Sequence, residues 1–511
     1  MSTMGYIVGI DAGTSMTKAV AFDLRGKELC SHGIKTRTSN PESSWIEADM
    51  EKVWEDVVTC VKGVLTKTPK EYGQPLAIGI TATGDGTWML DRDLKPFRPG
   101  IMWCDGRAQK QVNKLHSSGL AKKAYGVCGT SAFTGTQAAQ LLWLEEHEPS
   151  SVEKAEIVFH EKDWLLYRFT GEIFTDATDE CLANIDLKTQ EYHPGLFDIF
   201  GITQWRSKYP KLRKTHENAG PILSSVAQEI GLPKGILVAA GPMDVSAHAL
   251  GVGAIKPGQG SSVLGTAGLH QVVMDDTFID PENMSGMTLC HAVPNTWLRL
   301  VASMIATPNL DWVLGIFDIP RTSSKDYLEL ERELKKIPVG SAGLMYHPYI
   351  FPGGERGPFV KTSAKGDFLG INQLHTKYHM IRAVYEGVAL STKDCFQHMP
   401  VDPYMVLLSG GGSHSDFWSQ MVCDALGKPV AIPAGSEYGA KGAAINAAVA
   451  ASIYSSYQEA AQAMIHHERS FEPRKEESAV FESLYGLFKE GYQMQMNWWD
   501  HRASLIDEKM L

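Results

Sequence analysis

The sequence predicts a two-domain α/β protein built on a duplicated plan, with one phosphate-binding loop in each half. Three observations predict it. The chain has 511 residues, too many for one ordinary hydrophobic core. A buried strand runs into a Gly-Thr turn twice, at Asp11-Ala12-Gly13-Thr14 and at Gly265-Thr266. Between these turns a further strand ends at Asp244, where helical spacing begins. Gly, Lys and Pro cluster near Gly251 to Gly260, which divides the chain into 1–252 and 253–511.

Each element follows from local pattern. Tyr6 to Ile10 and Lys18 to Asp23 read as buried strands, Arg25-Gly26-Lys27 as a turn, and Glu28 onward as a third strand. Two glycine-bearing turns between apolar strands predict an antiparallel meander. From Asp49, residues Val53, Trp54, Val57, Val58 and Val61 fall at helical spacing. Leu76 to Thr81 is the next strand, and Ile236 to Ala240 leads through Gly241-Pro242-Met243-Asp244 into a helix reaching Leu250. Ser261 to Leu264 is a strand entering Gly265-Thr266. Val406 to Ser409 runs into Gly410-Gly411-Gly412-Ser413, followed from about Asp416 by a helix carrying Phe417, Trp418, Met421, Val422 and Ala425. Strand, glycine turn and helix together aim backbone N–H groups at an anion. Ser478 to Met510 reads as a helix with Phe481, Tyr485, Phe488, Tyr492, Trp498 and Trp499.

Composition narrows the function. Apolar residues at 43% and charged residues at 21% fit a folded rather than a disordered chain. A net charge of -11 argues against a nonspecific nucleic-acid binder. Positive potential for a phosphorylated ligand must then be local, from N–H groups at turns and helix starts. The eight cysteines form no C-x-x-C pair, which gives no zinc or redox motif and fits a reducing, cytoplasmic location. Met-Ser-Thr-Met-Gly shows no secretory pattern. The run Ala443 to Ile453 is too short to span a bilayer, so no membrane partner is expected. The expected partner is a small molecule, and a homodimer is compatible with these features.

Phosphoryl transfer needs a phosphate cradle, a divalent metal with acidic ligands, and a base near the acceptor hydroxyl. Asp11, at the end of a buried strand, is a candidate ligand for hydrated Mg²⁺. Gly13 admits close approach of a phosphate, and Thr14, Ser15 and Thr17 offer donors. An ordinary Asp-Gly hairpin turn would read the same way. Asp244 is a candidate general base and second metal ligand, although an aspartate capping a helix has the same signature. Gly265, Thr266, Gly410, Gly411, Gly412 and Ser415 complete the expected phosphate and nucleotide set.

In order and context these segments resemble the actin–hexokinase, ribonuclease H-like ATPase fold, and within it the FGGY carbohydrate kinases. The resemblance is most specific at Gly366-Asp367-Phe368-Leu369-Gly370-Ile371, followed by His379 to Gly387. Gly354-Glu355-Arg356-Gly357-Pro358 is similar to the family's Gly-Glu-Arg-x-Pro segment, and Trp103-Cys104-Asp105-Gly106-Arg107 to its Trp-x-Asp-x-Arg segment. Gly439 to Ala444, after Glu437, resembles its nucleotide-side helix start. Carried over, Asp11 and Thr14 meet metal and phosphates, Asp244 is the catalytic aspartate, Thr266 belongs to the second phosphate loop, and Gly410 and Gly411 lie beside the nucleotide. The resemblance implies an interdomain catalytic cleft, with residues 1–252 mainly binding sugar or polyol and residues 253–511 mainly binding nucleotide. ATP and Mg²⁺ are the implied cofactors. Two positions depart from the family: Gln140 stands where a lysine precedes Trp143 by three residues, and Thr307-Pro308 replaces a glycine pair ahead of Trp312.

On the acceptor side, Trp103, Asp105 and Arg107 would alternate onto one face of a strand, an aromatic plate with polar neighbours that suits a polyol. A Trp in the core and an Asp–Arg pair holding a loop is the alternative. Gly84-Asp85 stands where glycerol kinases carry Arg-Glu and xylulose kinases Met-His, and Gly84-Asp85-Gly86-Thr87-Trp88 is similar to erythritol-type kinases. Asp85 could accept hydrogen bonds from two hydroxyls beside Gly86, or serve only as a turn residue. The expected activity is ATP-dependent phosphorylation of a hydroxyl on a small sugar alcohol or ketose. The alternative within that class is a xylulose- or ribulose-type ketopentose kinase. From other classes come a conformational actin-fold ATPase and a sugar binder without turnover.

Overall fold

A computed structural model of the chain describes residues 5–509. Residues 1–4, which hold most of the N-terminal stretch discussed above, and Met510 of the expected C-terminal helix lie outside the described residues. In chain order the elements that position the site are β1 (Tyr6–Ala12), β2 (Met16–Asp23), β3 (Glu28–Lys35), α1 (Met50–Lys67), β4 (Pro75–Ala82), α2 (Gln137–His147), α3 (Glu161–Thr170), β5 (Asn218–Pro221), β6 (Leu237–Ala239) and α4 (Asp244–Val252). There follow β7 (Gln259–Leu264), β8 (Gly268–Met274), β9 (Met405–Ser409), α5 (Asp416–Leu426), β10 (Val430–Pro433), α6 (Tyr438–Ala450), β11 (His467–Phe471) and α7 (Lys475–Lys509). Among the described residues, no helix is long and apolar enough to cross a membrane.

The chain forms two compact units, each assembled from separate stretches. The first takes the chain up to Ile255 together with Val273–Leu298 and Ala434–His466; the second takes Lys256–Val272, Arg299–Pro433 and the chain from His467.

The first unit is built on a sheet of order β5-β6-β4-β1-β2-β3. β1, β2 and β3 form the antiparallel meander that the turns predict. β4 lies parallel to β1, and β6 parallel to β4. Alternation along β1 puts Tyr6, Val8, Ile10 and Ala12 into a core shared with Val53, Trp54, Val57 and Val61 of α1. Asp49 caps α1 by accepting from the N–H groups of Glu51 and Lys52. Ile7, Gly9 and Asp11 face the other way, toward α6, where Ile7 joins a second core with Ala440, Ala444 and Ile445.

Four glycines let α6 come this close. Gly9 and Gly79 are paired across β1 and β4. A Cβ on them would fall 2.0 Å from the Ala440 carbonyl oxygen and 1.9 Å from that of Ala443. Where α4 meets α6, a Cβ on Gly251 would fall 1.9 Å from Tyr438 O, and one on Gly442 would fall 1.8 Å from Ala247 O. Ordinary side chains on these faces would hold the helices apart.

The second unit repeats the plan. β7 is antiparallel to β8 and parallel to β9; β9 is parallel to β10, and β10 antiparallel to β11. This is the pattern of β1 with β2, β4, β6 and β5, so the duplication expected from the two Gly-Thr turns is present in the topology. α7 buries Phe481, Tyr485, Phe488, Tyr492 and Trp499, at spacings that keep one helical face inward. Trp498, one residue off that face, is 55% exposed.

The glycine seating can be tested at Gly442. Alanine favours a helix interior over glycine by about 1 kcal/mol. Overpacking a tight contact costs about 1–3 kcal/mol, and here the obstacle is backbone. Gly442→Ala should therefore lower the unfolding free energy despite its better propensity, read by urea titration. A variant as stable as the parent would mean that α4 and α6 do not meet this closely.

Candidate active site

The site in the first unit begins at the end of β1. Because Asp11 shares the face of Gly9, it lies at the first turn of α6, where a Cβ on Gly439 would come within 2.3 Å of Asp11 Oδ2. Lys18 pairs with Glu437 at 2.8 Å just ahead of that helix. The turn after Asp11 is closed by the Gly13 N–H on Met16 O and clamped by Thr36, whose hydroxyl donates to Gly13 O at 2.7 Å and whose N–H donates to Ser15 O. Thr14 Oγ1 accepts from the Trp103 indole Nε1 at 2.8 Å, which joins the expected phosphate turn to the expected aromatic plate. Trp103 is 40% exposed.

Asp244 opens α4 as its first residue, with Met243 at the cap position, so it is not the helix cap that its sequence also allowed. Its carboxylate accepts from the Val245 N–H at 2.7 Å, and the backbone of Gly84 favours its charged form. The segment after β4 ties the pieces together. Thr81 donates to Pro242 O at 2.7 Å, the Thr83 N–H donates to Ala12 O, and the Thr83 hydroxyl donates to Glu161 Oε2 at 2.5 Å. Asp85 and Gly86 both take the left-handed conformation, with φ of 57° and 78°. The backbone N–H of Gln137 at the start of α2 favours the charged Asp85 carboxylate, whose Oδ1 is buried with no hydrogen-bond partner among the described residues.

One element expected from the sequence is different. Residues 103–107 form turns and a loop, not a strand, so Trp103, Asp105 and Arg107 do not alternate along one face. Arg107 folds back on Asp105 through Nε and Nη2, both at 2.9 Å. Ile46 N–H and Arg107 N–H also donate to the Asp105 carboxylate. Arg107 further pairs with Glu47 and lies 4.2 Å over the Trp45 ring. Asp105 is fully buried and its oxygens are engaged, which makes it a brace for the loop that presents Trp103. Gln140, the departure ahead of Trp143, supports the same loop: it accepts from the Thr87 hydroxyl and donates to Met102 O and Thr134 O.

Sequence reading missed a buried charged layer behind these groups. Lys162 Nζ lies 2.9 Å from Asp163, 2.5 Å from Asp176 and 3.0 Å from Asp179. Three carboxylates this close could ring a metal ion. Here the ammonium fills that position, and its charge is held far more firmly than usual: burial opposes it, and the three aspartates outweigh burial. His160 lies beside Glu180 at 3.4 Å, and its other ring nitrogen faces Asp85 O. The only sequence signal was charge within His160-Glu161-Lys162-Asp163 and Asp176 to Glu180, which reads equally well as solvated helix starts.

In the second unit, the parallel pairing of β7 and β9 brings the two remaining loops side by side. Val263 is opposite Ser409, and a Cβ on Gly410 would fall 2.6 Å from Leu264 O. Gly410 takes φ of 85°, and nothing stands within 4 Å of a Cβ on Gly411. Gly412 is packed against Leu264. Thr266 is exposed, and Thr307 clamps this turn with its N–H and hydroxyl both on Gly265 O, at 2.9 and 2.8 Å. Ser415 caps α5 by accepting from the Trp418 N–H and donates to Glu331.

The acids of the first unit are poised by burial. Burial pushes Asp11 up to about 6, with Lys18 opposing and Glu437 adding. Asp244 is pushed up to about 7 by burial and then by the charge of Asp11. Burial raises Glu161 to about 8; the Thr83 hydrogen bond opposes, and Asp244 and Asp11 add. Asp85 rises to about 7 by burial, although His160 opposes. Carboxylates that raise one another and lack a shared counter-cation suit a divalent metal, and hard oxygen donors suit Mg²⁺. The candidate base Asp244, the candidate metal ligand Asp11 and the turn of Thr14 all belong to the first unit, and the charge of Asp11 is felt at Asp244.

Comparison with known proteins gives a consistent picture. Models of the FGGY family of carbohydrate kinases match the chain twice, the N-terminal domain over residues 6–251 and the C-terminal domain over residues 260–451. The erythritol kinase of Brucella abortus (strain 2308) is 28% identical over 517 residues, covering 98% of each protein. The L-xylulose/3-keto-L-gulonate kinase of Escherichia coli (strain K12) is 27% identical over 497 residues, covering 95% of this chain and 96% of that protein. The crystal structure of xylulose kinase from Rhodospirillum rubrum superposes with a TM-score of 0.87 at 25% identity, over 97% of this chain and 100% of that one.

Glu161 offers a stability test with a definite sign. An unfolded glutamate titrates near 4.5, whereas folded Glu161 titrates at about 8. The folded state therefore holds a proton that the unfolded state has released, and wild-type stability from this group falls between those values. Glu161→Gln removes that dependence. The melting temperature of the variant minus that of the wild type should rise from about pH 4.5 to about pH 8 and then level off. A difference that stays flat across this window would place Glu161 in a solvated setting.

Proposed function

The chain belongs to the FGGY family of carbohydrate kinases, an enzyme that phosphorylates a sugar or polyol hydroxyl from ATP, and from that premise we propose that its acceptor is a small linear sugar alcohol of the erythritol type. The observation that carries the proposal is Asp85, a buried acceptor with an unpartnered oxygen, next in the chain to Gly84, whose backbone favours the charged form of Asp244. A relative spanning 98% of the chain is an erythritol kinase, which supports the same substrate class. Xylulose kinases are also among the relatives, which keeps a ketopentose as the second reading.

In the proposed mechanism Asp244 takes the proton of the attacking hydroxyl. Its raised proton affinity serves a base working near neutral pH, and the Val245 N–H holds its orientation. Asp11 and Asp244 would hold Mg²⁺, which when bound neutralises charge on the phosphates of ATP. Thr14 and Ser15 in the turn of the first unit donate to phosphate oxygens, with Gly13 admitting close approach. In the second unit, Gly265-Thr266 and Gly410 to Gly412 bind the nucleotide, and Ser415 acts there by fixing the start of α5. Trp103 gives the acceptor's C–H edges a flat apolar surface, its indole locked by Thr14, and Asp105 braces the loop that carries it.

The test is ADP release with ATP, Mg²⁺ and a panel of four- to six-carbon polyols and ketoses. Stimulation by a short polyol is expected. ATP hydrolysis that no panel member stimulates would turn the reading toward a conformational ATPase. Asp244→Asn should keep ATP affinity and lower kcat by about 10²- to 10⁴-fold. A near-normal kcat would remove Asp244 from the base role.

A further inference from the structure

In the second unit, α7 carries apolar side chains on a further face, outside the core. Val480, Leu487, Met494, Trp498 and Leu505 run from 40% exposed at Val480 to 68% at Met494. At about 100° per residue these positions lie within about 40° of one another around the helix. They stand about a third of a turn from the face that Phe481, Phe488 and Trp499 bury. The stripe runs about 37 Å from Val480 to Leu505, at about 1.5 Å per residue. Single exposed apolar residues are ordinary, whereas a continuous line of them marks an interaction surface. A loop of the same unit extends it. Leu484, at the edge of the stripe, packs on Gly340, where a Cβ would fall 3.4 Å from Leu484 Cδ1. His375 holds the neighbouring loop to Ala342 O at 3.2 Å, and that loop exposes Ile371 and Leu374.

We propose that this stripe is the contact through which α7 pairs antiparallel with α7 of a second copy of the chain, as a twofold homodimer. A twofold contact lays one surface on itself, so apolar positions must map onto apolar positions. The stripe is symmetric in this sense. Val480 and Leu505 lie equally far from a point between Tyr492 and Gln493, and so do Leu487 and Trp498. A twofold axis at that point sets Val480 on Leu505 and Leu487 on Trp498 of the other copy. It sets Met494 on Gly491, which has no side chain and where Leu369 Cδ1 lies 2.9 Å from the Cβ position. The exposed polar residues along one flank are Ser483, Glu490, Asn497 and His501. The same axis brings Glu490 beside Asn497 and Ser483 beside His501, so that no carboxylate on this flank faces another. The strip, about 10 Å wide, covers about half of the roughly 800 Å² per partner of a standard interface, and Ile371 and Leu374 add to it.

The experiment is sedimentation equilibrium of the full chain, alone and as two charge variants. The wild type should have twice the mass of the chain. Leu487→Glu and Trp498→Lys each bury an unpaired charge twice per dimer, and each should raise the dimer dissociation constant by about 100-fold or more. Mixed in equal amounts, the two variants should associate again. In the mixed dimer Glu at 487 meets Lys at 498, and the second contact keeps its Leu487 and Trp498. Both positions are exposed, and cooperative melting checks that the variants fold. If either does not melt cooperatively, Met494→Lys takes its place and should also yield a monomer. A wild type that stays a monomer at about 100 μM overturns the proposal and assigns the stripe to a different protein or a membrane surface. A dimer that folded variants leave intact overturns it as well, because another surface then joins the copies. Two folded monomeric variants that do not combine when mixed overturn the antiparallel pairing.

Discussion

The site depends on how closely α6 approaches the sheet of the first unit. Gly9 and Gly79 sit side by side on β1 and β4, and the carbonyls of Ala440 and Ala443, one helical turn apart, occupy the space where their side chains would be. Once that contact is made, the position of Asp11 is determined. It is two residues beyond Gly9 on the same face of a strand, so it reaches the first turn of α6 beside Gly439. The positive end of a helix dipole favours an anion there, and a side chain on Gly439 would displace it. α4 is tied to the same helix through Gly251 and Gly442, so Asp244 inherits its place from the same packing. Both carboxylates are thus held by rigid elements, and the loops around them are adjusted to fit.

The buried acids divide by how their charge is met. Asp163, Asp176 and Asp179 surround Lys162, and the ammonium neutralises much of what burial would cost. That arrangement supports the layer under the site and has no room for a metal. No cation opposes burial at Asp244 or Glu161, Lys18 opposes it only in part at Asp11 and His160 only in part at Asp85, and burial lifts all four, as it does Asp179. A protein selected only for stability would pair or replace such groups. In the proposed function the ligands would supply the missing partners, a cation for Asp11 and Asp244 and hydroxyl protons for Asp85.

Much of this was legible in the sequence, because it was local. The strands around Ile7, Val20, Ile78 and Val263, the glycine turns after them, and α1 with its Asp49 cap follow from alternation, helical spacing and turn chemistry within a dozen residues. The repeat of the Gly-Thr turn anticipated the duplicated sheet. What stayed hidden was long-range. Lys18 meets Glu437, and Gly9 meets Ala440, across more than four hundred positions, and no periodicity announces either. Trp103 to Arg107 alternates like a strand, but Arg107 finds Asp105 and Glu47 and closes a loop instead. The run at 160–163 looks like an exposed helix start until its burial is seen, because charge in a sequence does not say which side faces water.

Two departures from the family pattern bear on whether the catalytic apparatus is intact. When a site decays, the groups that once served it lose their partners, and buried polar atoms are left unpaired. Gln140 shows the opposite. It takes the Thr87 hydroxyl with its oxygen and gives its amide to Met102 O and Thr134 O, joining the segment of Asp85 to the loop of Trp103. Thr307 likewise puts two donors on Gly265 O and so fixes the turn of Thr266 more tightly than a glycine, which has no hydroxyl, could. Both residues stiffen loops assigned to ligands, and neither touches Asp11 or Asp244 among the contacts described. Buried side-chain atoms without a hydrogen-bond partner occur in both units, at Asp85, Gln137, His160 and Tyr209 in the first and at Ser261, Gln271 and Tyr349 in the second. Departures bonded in this way keep the loops of the candidate site in place, which is the condition that the proposed phosphoryl transfer needs.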